Sequence, residues 1–386
     1  METMNERRGH VMSGNTPVAR FDGRRVTPIL PNRAPLCFRW GGDIETWLES
    51  RAIDEHRTNS RVLKRVLRMR DKSKLASALR VHGATITDNY WVRMDGEDIT
   101  WDKVRFSHDY FADVALRCHV DDFTRNFPKD SLTAPTPELT NTGSYEKCWK
   151  LIDGQWVMLK NNTPEAMFSE IFMSRLGIAM GLDMAQYYDH DGYTATPDFT
   201  EGRYNFEPMS NLTGDDEDYD LSYGTLKALK PGLERQYLDI LFMDALCLNP
   251  DRHTQNYGIL RDPDTGEILS MAPNFDNNLA LISRGYAKDG AIPTNPMTGW
   301  FHDLLKSQDT GYEYPELPGD KALRAIIADA ARGLDIRQDY VLRMVQANYV
   351  ALAQGAQLER QKRRAQILSG CVSQEETTMD GPSVKY

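Results

Sequence analysis

The stretch Asn249-Pro-Asp-Arg-His-Thr-Gln-Asn256, followed by Asn274-Phe275-Asp276, decides how the fold of this chain is interpreted. It contains an aspartate, an asparagine five positions later and a second aspartate beyond a short hairpin. The hairpin is predicted over residues 257–271, where two apolar runs flank a turn-forming segment. An amphipathic helical pattern over residues 233–248 leads into the stretch. The sequence therefore predicts that three oxygen-bearing side chains are presented by one loop and one hairpin.

The order of these side chains is that of a protein-kinase catalytic loop, in which an Asp base precedes an Asn and an Asp that bind Mg²⁺. Asp251 would orient or deprotonate the acceptor hydroxyl, and Asn256 and Asp276 would hold Mg²⁺ on the nucleotide phosphates. Turn-rich loops also collect Asp and Asn, because these side chains hydrogen-bond their own backbone. That alternative does not account for the helix before the set and the hairpin within it. The sequence predicts a phosphotransferase.

His253 lies between Asp251 and Asn256. A supporting histidine that hydrogen-bonds the loop backbone is favoured over a catalytic one, because the loop already has its base. Arg252 is expected to pair with a carboxylate or to pack under the loop.

A second group of candidates is predicted in a small β-rich lobe. Two predicted strands, at 148–152 and 155–160, flank Asp153-Gly154, which is a two-residue hairpin signal. A helix is predicted to begin at Thr163-Pro164, with Thr as the N-cap and Pro at the first helical position. Lys160 ends the second strand. Glu170 borders the apolar face of the helix, where an unpaired charge would be costly, so a Lys160–Glu170 pair is expected. Glu165 is the rival partner, but its place in the first helical turn suits the helix dipole.

The segment Asn141-Thr-Gly-Ser-Tyr-Glu-Lys147 precedes the first of these strands. Small residues at Gly143 and Ser144, followed by Tyr145, would let backbone N–H groups approach phosphates. An ordinary loop is the alternative, since a single glycine is a weak signal. The position of the segment immediately before the lysine hairpin favours nucleotide binding.

Composition restricts the remaining classes of function. The 386 residues carry a net charge of −10, which disfavours wholesale nucleic-acid binding. The five cysteines are scattered and lack CxxC spacing, which indicates a reducing compartment rather than a disulfide framework or a zinc site. No apolar run reaches the length of a membrane span, and the N-terminus lacks the apolar core of a signal peptide. A cytoplasmic protein is expected.

The predicted organisation has five parts. Residues 1–34 are interpreted as a partly disordered tail and 35–130 as an accessory domain, followed by a Pro-rich connector at 134–138. The β-rich N-lobe spans 140–230, the helical C-lobe with the catalytic loop spans 231–368, and 369–386 form a C-terminal tail.

In its predicted catalytic loop and N-lobe the chain resembles the HipA family of serine/threonine kinases, which are toxin components of bacterial toxin–antitoxin systems. The resemblance rests on Asn-x-Asp-x-His-x-x-Asn at 249–256 and Ala-Pro-x-Phe-Asp at 272–276, and it extends to Gly143-Ser144, Lys160 and Glu170. It covers roughly 140–350. The resemblance implies an α+β, two-lobed protein-kinase-like fold with a β-rich N-lobe, a helical C-lobe and an N-terminal accessory domain.

The same resemblance implies ATP and Mg²⁺ as cofactors and a protein Ser or Thr as acceptor. It assigns Asp251 as the base, Asn256 and Asp276 as metal ligands, and Lys160 to the phosphates. It further implies self-inactivation by phosphorylation in the phosphate loop, for which Ser144 is the candidate. An antitoxin partner encoded separately is implied, and no direct contact with nucleic acid is expected from this acidic chain.

Two features depart from the family. Its phosphate loop usually reads Gly-x-Gln-x-Lys, whereas this chain has Gly143-Ser-Tyr-Glu-Lys147, and no DNA-binding antitoxin module is evident in the sequence. Phosphatidylinositol kinases have a similar Asp-Arg-His-x-x-Asn loop, so a lipid or small-molecule acceptor is one alternative. A nucleotide-binding pseudokinase or regulatory subunit is another, although such a module would have no need of Asp251.

Overall fold

The computed structural model of this protein describes residues 3–57, 59–117 and 133–355. The predicted C-terminal tail, 369–386, and the end of the predicted C-lobe lie outside these residues. The described chain forms an N-terminal α+β domain, a β-rich lobe and a helical lobe, in that order.

The N-terminal domain is built on an antiparallel sheet with the strand order β3-β2-β1-β4. Its strands are β1 (Arg8–Ser13), β2 (Thr16–Asp22), β3 (Arg25–Pro28) and β4 (Tyr90–Met94). Its helices are α1 (Ile44–Ser50), α2 (Ser60–Val66), α3 (Lys74–Leu79), α4 (Trp101–Val104) and α5 (Ala112–Arg117). One face of the sheet packs on α1 and α3, so the domain has an apolar core of its own.

The prediction of a partly disordered tail over residues 1–34 is wrong, because residues 8–28 form β1, β2 and β3. Val11, Val18 and Phe21 are fully buried in the core of the domain. Tight turns join the strands, and Gly14 and Gly23 adopt positive φ angles there. Burial of apolar side chains from β1 and β2 outweighs the polar composition of the segment. The accessory domain therefore begins inside the range that composition assigned to a tail.

The β-rich lobe matches its predicted local structure closely. Its antiparallel sheet has the order β5-β6-β8-β7, and α6 (Pro164–Ala179) follows the first hairpin. Its strands are β5 (Lys147–Ile152), β6 (Gln155–Lys160), β7 (Tyr188–His190) and β8 (Tyr193–Pro197). The hydroxyl of Thr163 caps α6 by accepting a hydrogen bond from the Ala166 N–H at 3.3 Å.

The two lobes share a small sheet and a continuous apolar core. The strand β9 (Asn205–Pro208) pairs with β10 (Gly258–Arg261), which pairs in turn with β11 (Ile268–Met271). A strand assigned to the N-lobe thus joins the hairpin that follows the catalytic-loop stretch. The remaining helices are α7 (Ser210–Thr213), α8 (Tyr219–Leu229), α9 (Leu233–Cys247), α10 (Pro296–Ser307) and α11 (Asp320–Ala330), followed by helical residues 338–355. The buried face of α6 packs in one cluster with α9 and α11, which fixes the lobes to each other.

The accessory domain is attached to the shared sheet through a buried ion pair. This pair is formed by Arg261 on β10 and Glu207 on β9, and both side chains are almost fully buried. Glu207 accepts a hydrogen bond from the Leu36 N–H at 2.7 Å, and Arg261 donates to the Ala34 carbonyl at 3.0 Å. Breaking such a buried pair by removing one partner is costly, because the other charge is left unpaired. The accessory domain is therefore held on the two-lobed core.

Among the described residues, no helix is both long and apolar enough to cross a membrane.

Candidate active site

Three separate elements bring charged side chains together between the lobes. Lys160 ends β6, Glu170 lies in α6, and Asp276 follows β11. The Lys160 Nζ lies 2.5 Å from the Glu170 Oε1 and 2.7 Å from the Asp276 Oδ1. Glu170, rather than its rival Glu165, is the α6 carboxylate in contact with the lysine among the described residues. The structure thus joins the strand lysine, the helix glutamate and the second aspartate of the motif.

The charges in this group are strongly coupled. Burial alone would lower the pKa of Lys160, but Asp276 and Glu170 outweigh that effect and hold the pKa well above its usual value. Burial alone would raise the pKa of Asp276, but Lys160 and Lys147 hold it below its usual value. Both side chains are therefore charged at neutral pH, as a group that binds a phosphate and a cation requires.

Asp276 is held in its position by its backbone. Its φ is +59°, in the left-handed region that few non-glycine residues adopt. Its N–H donates a hydrogen bond of 3.0 Å to the Tyr187 hydroxyl, and the next N–H, that of Asn277, donates to the Glu170 Oε2 at 3.2 Å. The Lys160 Nζ lies 5.4 Å from the centroid of the Tyr187 ring. Tyr187 therefore supports both members of the Lys160–Asp276 pair, and the sequence analysis did not identify it.

The catalytic-loop stretch is organised by Arg252. This buried guanidinium donates to both carboxylate oxygens of Asp244, on α9, through two hydrogen bonds of 2.8 Å. It also donates to the carbonyls of Asn256 at 2.8 Å and Phe275 at 2.7 Å. The carboxylate partner predicted for Arg252 is thus Asp244. Because one side chain holds both segments, the loop containing Asp251 and the segment containing Asp276 have a fixed relative position.

Asp251, His253 and Asn256 lie together in this loop. The Asn256 Nδ2 donates to the Asp251 carbonyl at 3.0 Å, and the His253 Nδ1 accepts from the Gln255 N–H at 3.3 Å. Half-burial raises the pKa of the Asp251 carboxyl, although His253 opposes the rise. A carboxylate with a raised pKa is a better proton acceptor, which suits a general base. The hydrogen bond to the loop backbone is the supporting contact predicted for His253.

The segment at 141–147 lies beside the group formed by Lys160, Glu170 and Asp276. Gly143, Ser144 and Tyr145 are exposed, and the φ of Gly143 is +97°. A Cβ at Gly143 would collide with the Nζ of Lys147, so a larger residue does not fit there without displacing the lysine. Burial raises the pKa of Tyr145, and the charges of Asp251 and Asp276 add to the rise.

Lys147 adds a second buried ammonium group, and the sequence analysis assigned it no role. Burial, against the opposing effect of Asp276 and with a contribution from the nearby Lys160, lowers its pKa to about 8. A buried lysine without a direct carboxylate contact is costly. Lys147 and Lys160 together concentrate positive charge beside Asp276, and phosphate oxygens are the ligands that this charge would attract.

The residues present fit a magnesium nucleotide. In the described part of the chain no group of three or more His, Cys, Asp or Glu is placed to hold a metal, but Mg²⁺ bound to a nucleotide needs only one or two protein oxygens. Lys160 contacts Oδ1 of Asp276, so Oδ2 is the freer oxygen. The amide nitrogen of Asn256 is bound to the backbone, which directs its oxygen away from that contact. Hard oxygen ligands of this kind suit Mg²⁺ and not a soft metal.

Comparison with solved structures identifies the fold. A chain of the Shewanella oneidensis MR-1 toxin–antitoxin complex of HipA, HipB and operator DNA matches with a TM-score of 0.55 over 90% of this chain and 97% of that chain, at 13% identity. This protein has a HipA-like fold. The predicted α+β, two-lobed kinase-like fold is thereby confirmed, and the predicted resemblance to HipA-like kinases is confirmed at the level of the fold.

The HipA-like fold is also compared with a smaller kinase. The Helicobacter pylori proinflammatory kinase CtkA matches with a TM-score of 0.40 and 17% identity, over 55% of this chain and 95% of that chain. No family model and no curated protein sequence matches the chain.

Proposed function

We propose that this protein is an ATP- and Mg²⁺-dependent phosphotransferase of the serine/threonine protein kinase type. The observation that carries the proposal is the contact of Lys160 with both Glu170 and Asp276, at 2.5 and 2.7 Å. A protein kinase needs its strand lysine, its helix glutamate and its metal-binding aspartate in place together. The HipA-like fold supports the same conclusion.

The chemistry follows from the residues around this contact. Lys160 and Lys147 would bind the phosphates, with Gly143, Ser144 and Tyr145 above them, and Asn256 and Asp276 would hold Mg²⁺. When bound, Mg²⁺ neutralises the charge that develops on the phosphate oxygens.

Asp251 would align the acceptor hydroxyl and take its proton. The hydroxyl oxygen then bonds to the γ-phosphorus while the bond to the bridging oxygen breaks, and ADP leaves.

The acceptor class is a protein Ser or Thr in this proposal. A lipid or small-molecule acceptor is the alternative that the catalytic loop alone permits. The net charge of −10 disfavours approach to an anionic membrane. A pseudokinase or regulatory subunit is disfavoured because Arg252 holds Asp251 in place beside the metal-binding segment, and nucleotide binding alone would not need that arrangement.

A partner and a compartment belong to the same proposal. The Shewanella oneidensis neighbour was solved with HipB and operator DNA, so we propose a separately encoded antitoxin partner. The expectation that this protein does not contact nucleic acid has no support from that complex, which contains operator DNA. Cys37, Cys148 and Cys247 are free thiols, which agrees with the proposed placement in the reducing cytoplasm.

The proposal is tested by incubating the purified protein with γ-labelled ATP, with and without Mg²⁺, and three acceptor sets. These are a bacterial protein extract, anionic lipid vesicles and a pool of small metabolites. We expect Mg²⁺-dependent label on Ser or Thr, read as phosphosites by mass spectrometry. Label confined to lipid or metabolites would show that the acceptor is a lipid or a small molecule and not a protein. ATP binding without transfer to any acceptor would favour the pseudokinase.

A further inference from the structure

Arg57 is a buried arginine of the accessory domain whose contacts lie in the phosphate loop. It lies between α1 and α2 and is 1% exposed. Its Nη1 donates to the Asn141 carbonyl at 3.0 Å and its Nη2 to the Lys147 carbonyl at 2.6 Å. These carbonyls belong to the first and last residues of the segment 141–147. One planar guanidinium therefore joins the two ends of the loop.

Other contacts fix the chain on either side of the loop. The Ile53 N–H donates to the Leu139 carbonyl at 2.8 Å, and the Thr140 hydroxyl donates to the Ala84 carbonyl at 2.6 Å. Both contacts connect the accessory domain to the segment that enters the loop. That segment forms a buried 3-10 turn over Pro137–Thr140.

Glu138 closes the base of the loop. Its carboxylate accepts from the Trp149 N–H at 2.7 Å and from the Asn141 Nδ2 at 3.2 Å. The carboxylate thus spans the same two chain ends as Arg57. Arg57 and Glu138 are both buried, and the charge of Arg57 opposes the rise that burial causes in the pKa of Glu138. The loop is therefore closed by one cation and one carboxylate at its base.

The position of the loop determines that of its side chains. Lys147 extends from one of the two anchored ends to a place beneath Gly143, close to Asp276. Burial raises the pKa of Tyr145, at the middle of the loop, and the charges of Asp251 and Asp276 add to the rise. If the two ends of the loop were released, the Lys147 ammonium group and the backbone N–H groups of the loop would lose their fixed geometry. These are the groups that would face the nucleotide.

We propose that Arg57 is a positioning residue for the nucleotide and that the accessory domain completes the nucleotide site through it. This inference rests on the proposed phosphotransferase function. A planar guanidinium can bind two carbonyls at once, whereas an ammonium on a flexible stem cannot reproduce that fork. Replacement by lysine would leave one buried carbonyl without its donor, and a buried unsatisfied group is costly.

The test compares Arg57→Lys with Arg51→Lys. Arg51 is a matched control because it is another buried arginine of the accessory domain, with its contacts to Gly83 and Asp88 inside that domain. The first readout needs no nucleotide. It is the initial rate of chymotryptic cleavage after Tyr145, identified by mass spectrometry, which reports how often the loop opens. The second readout is the KM for ATP and the kcat.

We expect cleavage after Tyr145 about tenfold faster in Arg57→Lys and unchanged in Arg51→Lys at equal folded fraction. A charged hydrogen bond of this kind corresponds to roughly a tenfold effect or more. The KM for ATP should rise by a similar factor in Arg57→Lys, with a much smaller change in kcat. Arg57→Gln serves as the second variant if Arg57→Lys does not fold.

Equal cleavage rates in wild type and Arg57→Lys would overturn the proposal, as would equal effects of the two lysine variants on KM. A wild-type protein that does not bind ATP would instead overturn the proposed function. The cleavage comparison would still decide whether Arg57 holds the loop.

Discussion

The hydroxyl oxygen of Tyr187 accepts a hydrogen bond of 3.0 Å from the backbone N–H of Asp276. A short parallel pairing of the chain explains this contact. The Asn274 N–H donates to the Asp183 carbonyl at 2.9 Å, and the Ala185 N–H donates to the Asn274 carbonyl at 3.0 Å. The segment before β7 therefore runs beside the segment containing Asp276 and places Tyr187 against that residue.

Tyr187→Phe should weaken phosphoryl transfer without unfolding the protein. The change removes the acceptor of the Asp276 N–H but keeps the ring beside Lys160. One such hydrogen bond contributes about 1 kcal/mol, so we expect kcat/KM to fall by roughly three- to tenfold. Tyr188→Phe is the matched control on β7 and should retain wild-type kinetics. Equal rates for wild type and Tyr187→Phe would show that Tyr187 does not position Asp276.

Lys147→Met should stabilise the protein and weaken ATP binding. At neutral pH the buried ammonium costs free energy, because burial lowers its pKa to about 8. Removing the charge should raise the free energy of unfolding by about 1 to 3 kcal/mol at pH 7. The measurements are denaturant unfolding and ATP titration calorimetry. Lys150→Met, a partly exposed position on the same strand, is the control and should change neither quantity appreciably.

The pH dependence of the same variant gives a second check. Between the folded pKa, about 8, and the ordinary value, 10.5, the unfolded chain holds the Lys147 proton and the folded chain does not. Deprotonation of Lys147 should therefore increase the wild-type free energy of unfolding as the pH rises through this window. Lys147→Met should lack that contribution. Its higher free energy of unfolding relative to wild type should therefore disappear as the pH approaches 10.5. An advantage that is constant with pH would contradict the buried-charge explanation.

Asp251→Asn and Lys160→Ala should separate chemistry from nucleotide binding. In the proposed mechanism Asp251 acts on the acceptor, so Asp251→Asn should keep ATP affinity nearly intact while turnover falls strongly. Lys160→Ala should weaken productive ATP binding as well, because it removes the cation between Glu170 and Asp276. Calorimetry and single-turnover assays measure both. Loss of ATP affinity in Asp251→Asn, with affinity and turnover retained in Lys160→Ala, would reverse these roles.

Ser144 is the proposed site of self-inactivation. Its side chain is exposed beside Gly143, so it is accessible to phosphorylation. A phosphate there would add roughly −1.5 to −2 charge where the loop faces ATP, and it would repel the nucleotide. Prolonged incubation with Mg-ATP should yield phosphorylated Ser144 and declining activity, and Ser144→Ala should retain activity over the same time. Declining activity while mass spectrometry finds Ser144 unmodified would refute this mechanism.

Local patterns in the sequence predicted much of the fold and of the candidate site. The Asp153-Gly154 turn and the Thr163 cap gave the hairpin and α6, and these two elements bring Lys160 to Glu170 across ten residues. The turns at Gly14 and Gly23 carried the same kind of signal. The polar composition of residues 1–34 predicts a tail, whereas these turns and the buried apolar residues of β1 and β2 show a folded segment.

Other parts of the site depend on contacts between distant residues. Tyr187 lies 89 residues from Asp276, and Arg57 lies 84 and 90 residues from its two carbonyl partners. Neither residue belongs to a motif, and each acquires its role only when separate elements pack together. Lys147 was visible in the loop sequence, but its burial beneath Gly143 depends on the fold.

The most direct test of the central claim is Mg²⁺-dependent phosphoryl transfer by the Asp276→Asn protein. Mg²⁺ prefers a charged carboxylate oxygen in a tight octahedral shell, so the variant should lose Mg²⁺-dependent transfer from labelled ATP. Its circular dichroism and melting cooperativity should remain those of a folded protein. Loss of transfer in the folded variant is the result that the proposed phosphotransferase site predicts. Wild-type transfer by Asp276→Asn at the same Mg²⁺ concentration would contradict it.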